Sequence, residues 1–164
     1  MGPTQVERSI CGRAFTGRPL MFRNVLVVCT GNICRSPTAV IVLRKALEHG
    51  QIAVASAGLS AVAGHGMCRN ALAVLKRHGH ENPAHVARQL EASMVRQADL
   101  ILAMEGAQIR AIVGASPEAR GKVVLLSKWD GDTDIPDPYH QSAAVYEHVF
   151  QLIETSVRSW INHV

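Results

Sequence analysis

A cysteine and an arginine six residues apart are the first pair in the sequence that could do chemistry together. Cys29 ends the apolar run Val25–Val28, and Arg35 follows a short turn that contains Gly31 and Asn32. A thiolate is a strong nucleophile, and a guanidinium is a planar fork that matches two oxygens of a phosphate group. The spacing therefore predicts a phosphate-binding loop with a nucleophile at its base.

The flanking residues predict a strand and a helix that would position this pair. Val25–Val28 is unbroken in its apolar character, which is typical of a buried parallel strand. Ser36 is a favourable N-cap, and Pro37 suits the first helical position. The start of a helix attracts anions and favours a thiolate. A packed cysteine beside a surface arginine is the alternative interpretation, but the strand, the turn and the helix start favour a functional loop.

The composition is that of one globular domain that suits an anionic ligand. The chain has 164 residues, of which 48% are hydrophobic and 18% charged, and its net charge is +4. Aromatic residues make up only 4%, and no basic stripe interleaves with them, so we expect no nucleic-acid partner. No apolar run is long enough to span a membrane, so we expect no membrane insertion.

The four cysteines are too few and too irregular for a disulfide scaffold or a CxxC zinc site. They predict a reducing compartment, which we interpret as the cytoplasm. Cys34 lies five residues after Cys29 and is either a small buried side chain or the partner of Cys29 in a reversible disulfide that protects the nucleophile. Cys11 and Cys68 are expected to be inert.

Residues 1–20 differ from the rest of the chain. They are rich in glycine, proline and arginine and have neither apolar periodicity nor the apolar region of a secretory signal. We interpret them as a disordered extension or a mis-assigned start, with Met21 as the natural first residue and one domain over residues 21–164.

Apolar patterns along that domain predict strands alternating with helices. The strands are expected at 25–28, 53–57, 99–103 and 122–126, and the helices at 38–49, 69–78, 91–97, 105–113 and 142 to about 162. This alternation predicts an α/β fold with a parallel sheet and helices on both faces. Ligands bind such sheets beyond the carboxyl ends of the strands, which again points to Cys29.

Asp137 is the second residue that could do chemistry. It lies after the fourth predicted strand, between Pro136 and Pro138. Each proline fixes its own φ and restricts the residue before it, so this carboxyl group is held on a stiff segment. A positioned carboxyl suits a general acid.

Two groups of polar residues could be mistaken for metal sites. Three further aspartates precede Asp137, but Ile135 stands where a calcium loop needs glycine, so we interpret them as solvated charges. His78, His80 and His85 fall in a predicted polar loop and are also interpreted as solvated. We therefore predict no metal.

Three motifs together resemble the low-molecular-weight protein tyrosine phosphatases. They are Cys29-Thr-Gly-Asn-Ile-Cys-Arg-Ser-Pro37, Ser56-Ala-Gly58 and Asp137-Pro-Tyr139. A cysteine and an arginine at this spacing are common by chance, but the Ser-Pro that follows and the distant Asp-Pro make the match specific. The resemblance runs from about Met21 to the C-terminus. It is closest to the bacterial branch associated with exopolysaccharide or capsule export, which acts against an autophosphorylating membrane tyrosine kinase.

The resemblance implies a fold and a set of partners. The fold would be a single-domain three-layer sandwich of the flavodoxin-like type, with a four-stranded parallel sheet in the order 2-1-3-4. The substrate would be a tyrosine-phosphorylated protein, plausibly that kinase. No cofactor would be needed, and the protein would be a monomer or a weak dimer.

The resemblance also implies residue roles. Cys29 would attack phosphorus to form a cysteinyl-phosphate, Arg35 would hold the phosphate oxygens, and Asp137 would protonate the leaving group and then activate water. Tyr139 and Leu59 would line the slot for the substrate ring. The rest of the phosphate-binding loop would be Thr30, Gly31, Asn32, Ile33, Cys34 and Ser36, with the Ser36 hydroxyl donating to the Cys29 thiolate and Asn32 bracing the loop through Ser36 and Ser56.

The sequence departs from the family pattern at two places. Val40 stands where related sequences often have glutamate, and Cys68-Arg69 replaces the usual Asp-Pro before the second helix. Both positions are expected to affect helix packing and capping, not the chemistry.

Four other functions remain to be compared. A thiol-based arsenate reductase of this fold needs two further relay cysteines, and residues 80–110 contain none. A protein-arginine phosphatase typically has threonine in place of Ile33. A phosphotyrosine-binding module without activity would not need Cys29, Arg35 and Asp137 together. An ATP-binding P-loop would need a Gly-Lys-Ser/Thr ending, which this loop lacks.

Overall fold

Four parallel strands form one sheet in the part of the chain that the computed structural model describes, residues 21–47, 51–81 and 84–164. The order is β2-β1-β3-β4, which confirms the predicted sheet. The strands are β1 Asn24–Cys29, β2 Ala53–Gly58, β3 Leu100–Ala103 and β4 Val123–Leu125. The predictions for residues 1–20, and for the end of the first helix at 48–49, lie outside the described residues.

Side chains of β1 alternate between two apolar layers. Val25, Val27 and Cys29 pack on one face of the sheet, whereas Leu26 and Val28 pack on the other. Because both faces are covered by helices, the strand is buried on both sides from Val25 to Cys29, and its apolar run is unbroken.

The helices cover the two faces and complete the three predicted layers. One layer contains α1, α2 and α5, whose buried side chains join the cluster around Val27, and the other contains α3 and α4, which join the cluster around Val28. Within the described residues, no helix is long and apolar enough to cross a membrane. The bounds are α1 Arg35–Ala46, α2 Arg69–Arg77, α3 Ala92–Gln97, α4 Gly106–Ala115 and α5 Ala143–Trp160, with a short 3-10 turn at Pro117–Ala119.

The start of α1 differs from its prediction. The helix begins at Arg35, three residues before the expected Thr38, and its N-cap is Cys34. The reason is that the Cys34 carbonyl already accepts the Thr38 N–H, at 3.2 Å. The prediction of Ser36 as N-cap was therefore wrong, and its hydroxyl instead contacts the thiol of Cys29.

The carboxyl ends of all four strands lie at one edge of the sheet, because the strands are parallel. This edge brings together Cys29 at the end of β1, Gly58 at the end of β2, and Glu105 just beyond β3. The segment 126–142, which carries Asp137, follows β4 and returns to the same edge. The predicted position of the site beyond the strand ends follows from this arrangement.

Candidate active site

The loop between β1 and α1 turns its carbonyl groups away from its centre. The carbonyls of Cys29, Thr30 and Gly31 accept the N–H groups of residues 59, 60 and 62, each at 3.0 Å. The carbonyl of Ile33 accepts an N–H at 2.8 Å, and that of Asn32 faces a histidine nitrogen at 2.7 Å. In a trans peptide the next N–H points opposite to the carbonyl. Five successive N–H groups are thus left to face inward, as an anion-binding nest requires.

The thiol of Cys29 lies inside this nest. Cys29 is buried, and its Sγ is 3.0 Å from the hydroxyl of Ser36 and accepts the backbone N–H of Asn32 at 3.3 Å. Both contacts suit a sulfur that carries negative charge. The structure therefore brings together the predicted nucleophile and the hydroxyl predicted to donate to it.

Asn32 connects the loop to neighbouring elements. Its φ of 57° lies in the left-handed region, which asparagine tolerates better than most residues. Its side-chain amide donates to Ser36 at 2.8 Å and to Ser56 on β2 at 2.9 Å. Its side-chain oxygen accepts the N–H of Arg88 at 3.0 Å. The predicted bracing contacts of Asn32 are all present.

Arg35 is almost fully buried, with 1% of its side chain exposed. Its Nη1 donates to the carboxylate of Glu105 and to the carbonyl of Ile135, the latter at 2.9 Å. Its Nη2 lies 2.8 Å from Asp137 Oδ2 as an ion pair that lacks hydrogen-bond geometry, and Nε has no hydrogen-bond partner among the described residues. A buried cation so held, whose Nε and Nη2 make no hydrogen bond among the described residues, suits a phosphate ligand.

Asp137 and Tyr139 lie on the other side of the opening. The Asp137 carboxylate accepts the backbone N–H of Tyr139 at 3.2 Å, which fixes the side chain through a local turn. Tyr139 is 47% exposed, and its ring packs against the ring of His140 with centroids 3.9 Å apart. A carboxyl group and an aromatic ring thus flank the phosphate-binding nest.

A cleft of about 200 Å³ opens above the loop. Leu59, which was expected to line the ring slot, is absent from its lining and instead packs against the core on the α3–α4 side. Two neighbours of Leu59, Ser60 and Val62, line the cleft in its place. The lining residues are Cys29, Thr30, Gly31, Ile33, Cys34, Arg35, Ser60, Val62, Asp137 and Tyr139.

Residues 24–164 match the model of the family described as low molecular weight phosphotyrosine protein phosphatase. The chain belongs to this family. It is a protein-tyrosine phosphatase, as the sequence motifs predicted.

Named relatives and solved structures agree with this assignment. The low molecular weight protein-tyrosine-phosphatase Wzb of Salmonella typhimurium is 46% identical over 140 residues, covering 85% of this chain and 93% of the relative. The structure of Vibrio vulnificus Wzb in complex with benzylphosphonate superposes with a TM-score of 0.83 at 40% identity, covering 87% of this chain and 99% of that one. The YwlE arginine phosphatase from Geobacillus stearothermophilus has a TM-score of 0.81 at 34% identity, covering 86% and 92%. The fold alone therefore does not separate the two substrate classes.

Several residues of the phosphatase site were missed in the sequence. Glu105 pairs with Arg35, and Gln108 on α4 donates to the hydroxyl of Thr30 at 3.3 Å. The signal for Glu105 was its position directly beyond β3, which neighbours β1 in the sheet. Gln108 could have been found from Glu105, because a glutamate followed three residues later by a glutamine has the spacing of a capping box at the start of a helix, and the two residues form one at the start of α4.

The histidines do not form the solvated loop that was expected. His85 Nε2 lies 2.7 Å from the Asn32 carbonyl and so supports the phosphate loop. His78 stacks on Phe150, with centroids 4.2 Å apart, and pairs with Glu147. The interpretation was wrong for His85, whose partner lies in the phosphate loop. It was incomplete for His78 and His80, which pack against Phe150 of α5, although His78 keeps a third of its side chain exposed.

Glycine is required at position 58 because the end of β2 closely approaches the phosphate loop. A Cβ at this position would lie 2.6 Å from the carbonyl oxygen of Thr30. The end of β2 can therefore approach the phosphate loop only if residue 58 has no side chain.

Proposed function

We propose that this phosphatase hydrolyses phosphotyrosine in proteins through a cysteinyl-phosphate intermediate. The observation that carries the proposal is the position of the Cys29 thiol, inside a nest of backbone N–H groups and beside the buried guanidinium of Arg35. A phosphate bound by these groups would present phosphorus to the sulfur. Support for tyrosine as the substrate comes from the family and from Tyr139 beside the opening.

In the first step Cys29 sulfur attacks phosphorus, and the bond from phosphorus to the tyrosine oxygen breaks. Arg35 and the loop N–H groups stabilise the negative charge that spreads over the other phosphate oxygens. Asp137, protonated at this stage, gives its proton to the departing phenolate. The location of its carboxyl group in the lining of the cleft supports this role. Bound phosphate would replace Asp137 as the partner of Arg35 Nη2 and leave the carboxyl group beside the departing oxygen.

In the second step water attacks phosphorus, and the bond from phosphorus to sulfur breaks. Asp137, now a carboxylate, accepts a proton from that water, and inorganic phosphate leaves. The Ser36 hydroxyl, 3.0 Å from the sulfur, stabilises Cys29 as a departing thiolate. The positive field comes from the protein itself, so the proposed reaction uses no metal or cofactor.

The substrate ring would lie between Tyr139, Ile33 and Val62 at the mouth of the cleft. The backbone N–H groups of Thr30 to Cys34 would bind the phosphate. Leu59 would contribute through its backbone, since its N–H donates to the carbonyl of Cys29 at 3.0 Å and so helps to hold the loop in place.

The physiological substrate that we propose is an autophosphorylating tyrosine kinase that controls exopolysaccharide or capsule production, with the phosphatase acting in the cytoplasm. The support is the resemblance of the sequence to the branch with that role. An inactive Cys29→Ser form should retain such a tyrosine-phosphorylated kinase from a lysate of the native cell. Retention that persists after prior removal of phosphate from the lysate would contradict phosphotyrosine recognition.

The chemistry is tested with aryl phosphates of graded leaving-group basicity. Cys29→Ser should abolish hydrolysis of all of them. Asp137→Asn should reduce kcat by about 10²- to 10⁴-fold for phosphotyrosine, and much less for 4-nitrophenyl phosphate, because the weakly basic nitrophenolate leaves without a proton. Asp132→Asn is the matched control, since Asp132 is exposed and is not among the residues lining the cleft. Equal losses for both leaving groups would contradict the role of Asp137.

The arginine-phosphatase alternative is tested with the same protein. A phosphoarginine peptide and a phosphotyrosine peptide of the same sequence should differ in kcat/KM in favour of phosphotyrosine, because Ile33 and Val62 offer the ring an apolar contact. A preference for phosphoarginine would overturn the substrate assignment but not the thiol mechanism.

A further inference from the structure

Two thiols from different elements lie in contact beside the cleft. Cys34 is the N-cap of α1 and Cys68 is the N-cap of α2. Their Sγ atoms are 2.7 Å apart, and both residues are free cysteines. The hydroxyl of Tyr146 lies 3.8 Å from the Cys34 sulfur and 3.6 Å from the Cys68 sulfur. Cys68 and Tyr146 have no part in the proposed phosphatase reaction.

We propose that Cys34 and Cys68 are a reversible redox pair, which a peroxide oxidises to a disulfide while Cys29 remains reduced. A disulfide bond is about 2.05 Å long, so the two sulfurs need to approach by less than about 1 Å. The Cys68 N–H already donates to the Ile33 carbonyl at 2.8 Å. The backbones on both sides are thus joined before the sulfurs react, and little rearrangement is needed.

The two thiols differ in pKa and in exposure, which gives them different roles in the oxidation. The hydrogen bond from Cys34, with the hydroxyl of Tyr146, lowers the pKa of Cys68 to about 6 despite partial burial. The same hydrogen bond, together with burial, raises the pKa of Cys34. Cys68 is also the more exposed of the two. It is therefore the thiolate that meets an oxidant, and Cys34 keeps the proton.

The oxidation balances with hydrogen peroxide as the oxidant. The Cys68 thiolate attacks one peroxide oxygen, the O–O bond breaks, and a sulfenic acid and hydroxide form. The Cys34 sulfur then attacks the Cys68 sulfur, the S–O bond breaks, and the thiol proton leaves with the hydroxyl as water. The dithiol loses two electrons and the peroxide gains them.

In this proposal the pair forms in preference to the disulfide between Cys29 and Cys34, which was one of the two alternatives that the sequence left open for Cys34. Cys34 can bond to only one partner, so a bond to Cys68 prevents it from capturing Cys29. Where peroxide has already linked Cys29 to Cys34, the Cys68 thiolate can attack the Cys34 sulfur and release Cys29 as a thiolate. In the first route Cys29 stays reduced because the peroxide is consumed at Cys68, and in the second route the exchange returns Cys29 to its reduced form.

The pairing is tested by mapping disulfides in the full chain carrying Cys11→Ser, which leaves three cysteines. After one molar equivalent of hydrogen peroxide and alkylation of the remaining thiols, peptide mass analysis should find Cys34 linked to Cys68 and Cys29 alkylated. A predominant link between Cys29 and Cys34 would overturn the proposal. This measurement does not depend on phosphatase activity, so it can fail or succeed independently of the proposed function.

Kinetics give a second readout. The protein with Cys68→Ser should lose activity towards 4-nitrophenyl phosphate about tenfold faster under peroxide than the parent, each relative to its own untreated rate. Without Cys68, peroxide is expected to link Cys29 to Cys34. Dithiothreitol reduces that disulfide, so it should restore the activity. Equal rates of inactivation in the two proteins would overturn the protective role of Cys68.

Discussion

At the scale of the residue, Arg35 shows how one side chain is fixed for binding. Its guanidinium is buried against the Glu105 carboxylate and the Ile135 carbonyl, so two contacts orient it before any phosphate arrives. Burying a cation without such partners would be costly. The orientation of Arg35 is therefore set by two segments, one after β3 and one after β4, that are remote from it in the chain.

The clearest prediction at this scale concerns Gly58. In Gly58→Ala the new Cβ would lie 2.6 Å from the backbone oxygen of Thr30, so the strand end or the loop must shift. We expect a loss of about 1–3 kcal/mol in the free energy of unfolding, measured with urea. We also expect a lower kcat/KM for an aryl phosphate, because Thr30 belongs to the phosphate loop.

Gly114→Ala is the matched control for this substitution. Gly114 lies in α4, and nothing is within 4 Å of the position of its Cβ. Alanine there should stabilise the protein by about 0.5–1 kcal/mol and leave activity unchanged. If Gly58→Ala were as harmless as this control, the proposed need for a close approach would be wrong.

At the scale of the element, α5 holds the chain that leaves β4. The indole nitrogen of Trp160, near the end of α5, donates to the carbonyl of Leu126 at 2.6 Å. Leu126 directly follows β4 and is fully buried. This bond fixes the start of the segment that later presents Asp137 to the cleft.

Trp160→Phe should remove this donor and leave a buried carbonyl without a partner. The expected loss is about 1–3 kcal/mol in the free energy of unfolding, measured by circular dichroism in urea. Trp129→Phe is the control, because Trp129 is 50% exposed and phenylalanine keeps an aromatic ring against Trp160 and His163. The expected loss is smaller, about 0.5 kcal/mol. Similar effects of the two substitutions would show that the hydrogen bond of Trp160 contributes little.

At the scale of the whole molecule, stability depends on carboxylates that join distant segments. One oxygen of Asp99, just before β3, accepts the N–H groups of Arg23 and Asn24 at the start of β1, each at 2.8 Å. These two N–H groups hold the pKa of Asp99 below its usual value. Hydrogen bonds from Arg77 and His78 likewise lower the pKa of Glu147. Both carboxyl groups therefore stabilise the folded state when they are ionised.

The pH dependence follows from the direction of these shifts. A carboxyl group whose pKa is lower in the folded state contributes stability above its unfolded pKa, about 3.9 for aspartate, and loses it as the pH falls through the folded value. Asp99→Asn should therefore lower the urea midpoint at neutral pH, and its difference from the parent should shrink as the pH falls below about 4. A difference for Asp99→Asn that stays constant with pH would contradict an ionic contribution.

The sequence by itself determined the features that depend on neighbours along the chain. The apolar run of β1, the glycine turn, Arg35 and the proline-flanked Asp137 are local patterns, and they were sufficient for the phosphate loop and its proton donor. The alternation of strands with helices predicted the parallel sheet, and the resemblance to the family supplied its order. Helix starts were less certain: Ser36 had the composition of an N-cap, but the hydrogen bond from Thr38 to Cys34 moved the start of α1 into the loop.

Only the tertiary structure decided which residues meet across the carboxyl edge of the sheet. Glu105 reaches Arg35 because β3 lies beside β1, and His85 reaches Asn32 across 53 residues of chain. Cys68 was expected to be inert. Its backbone N–H donates to the Ile33 carbonyl, and this hydrogen bond holds the Cys68 sulfur against the sulfur of Cys34. Such contacts are set by how elements pack and not by sequence spacing. For that reason the contacts of Arg35 with Glu105, of Asn32 with His85 and of Cys34 with Cys68 could not be predicted from local pattern.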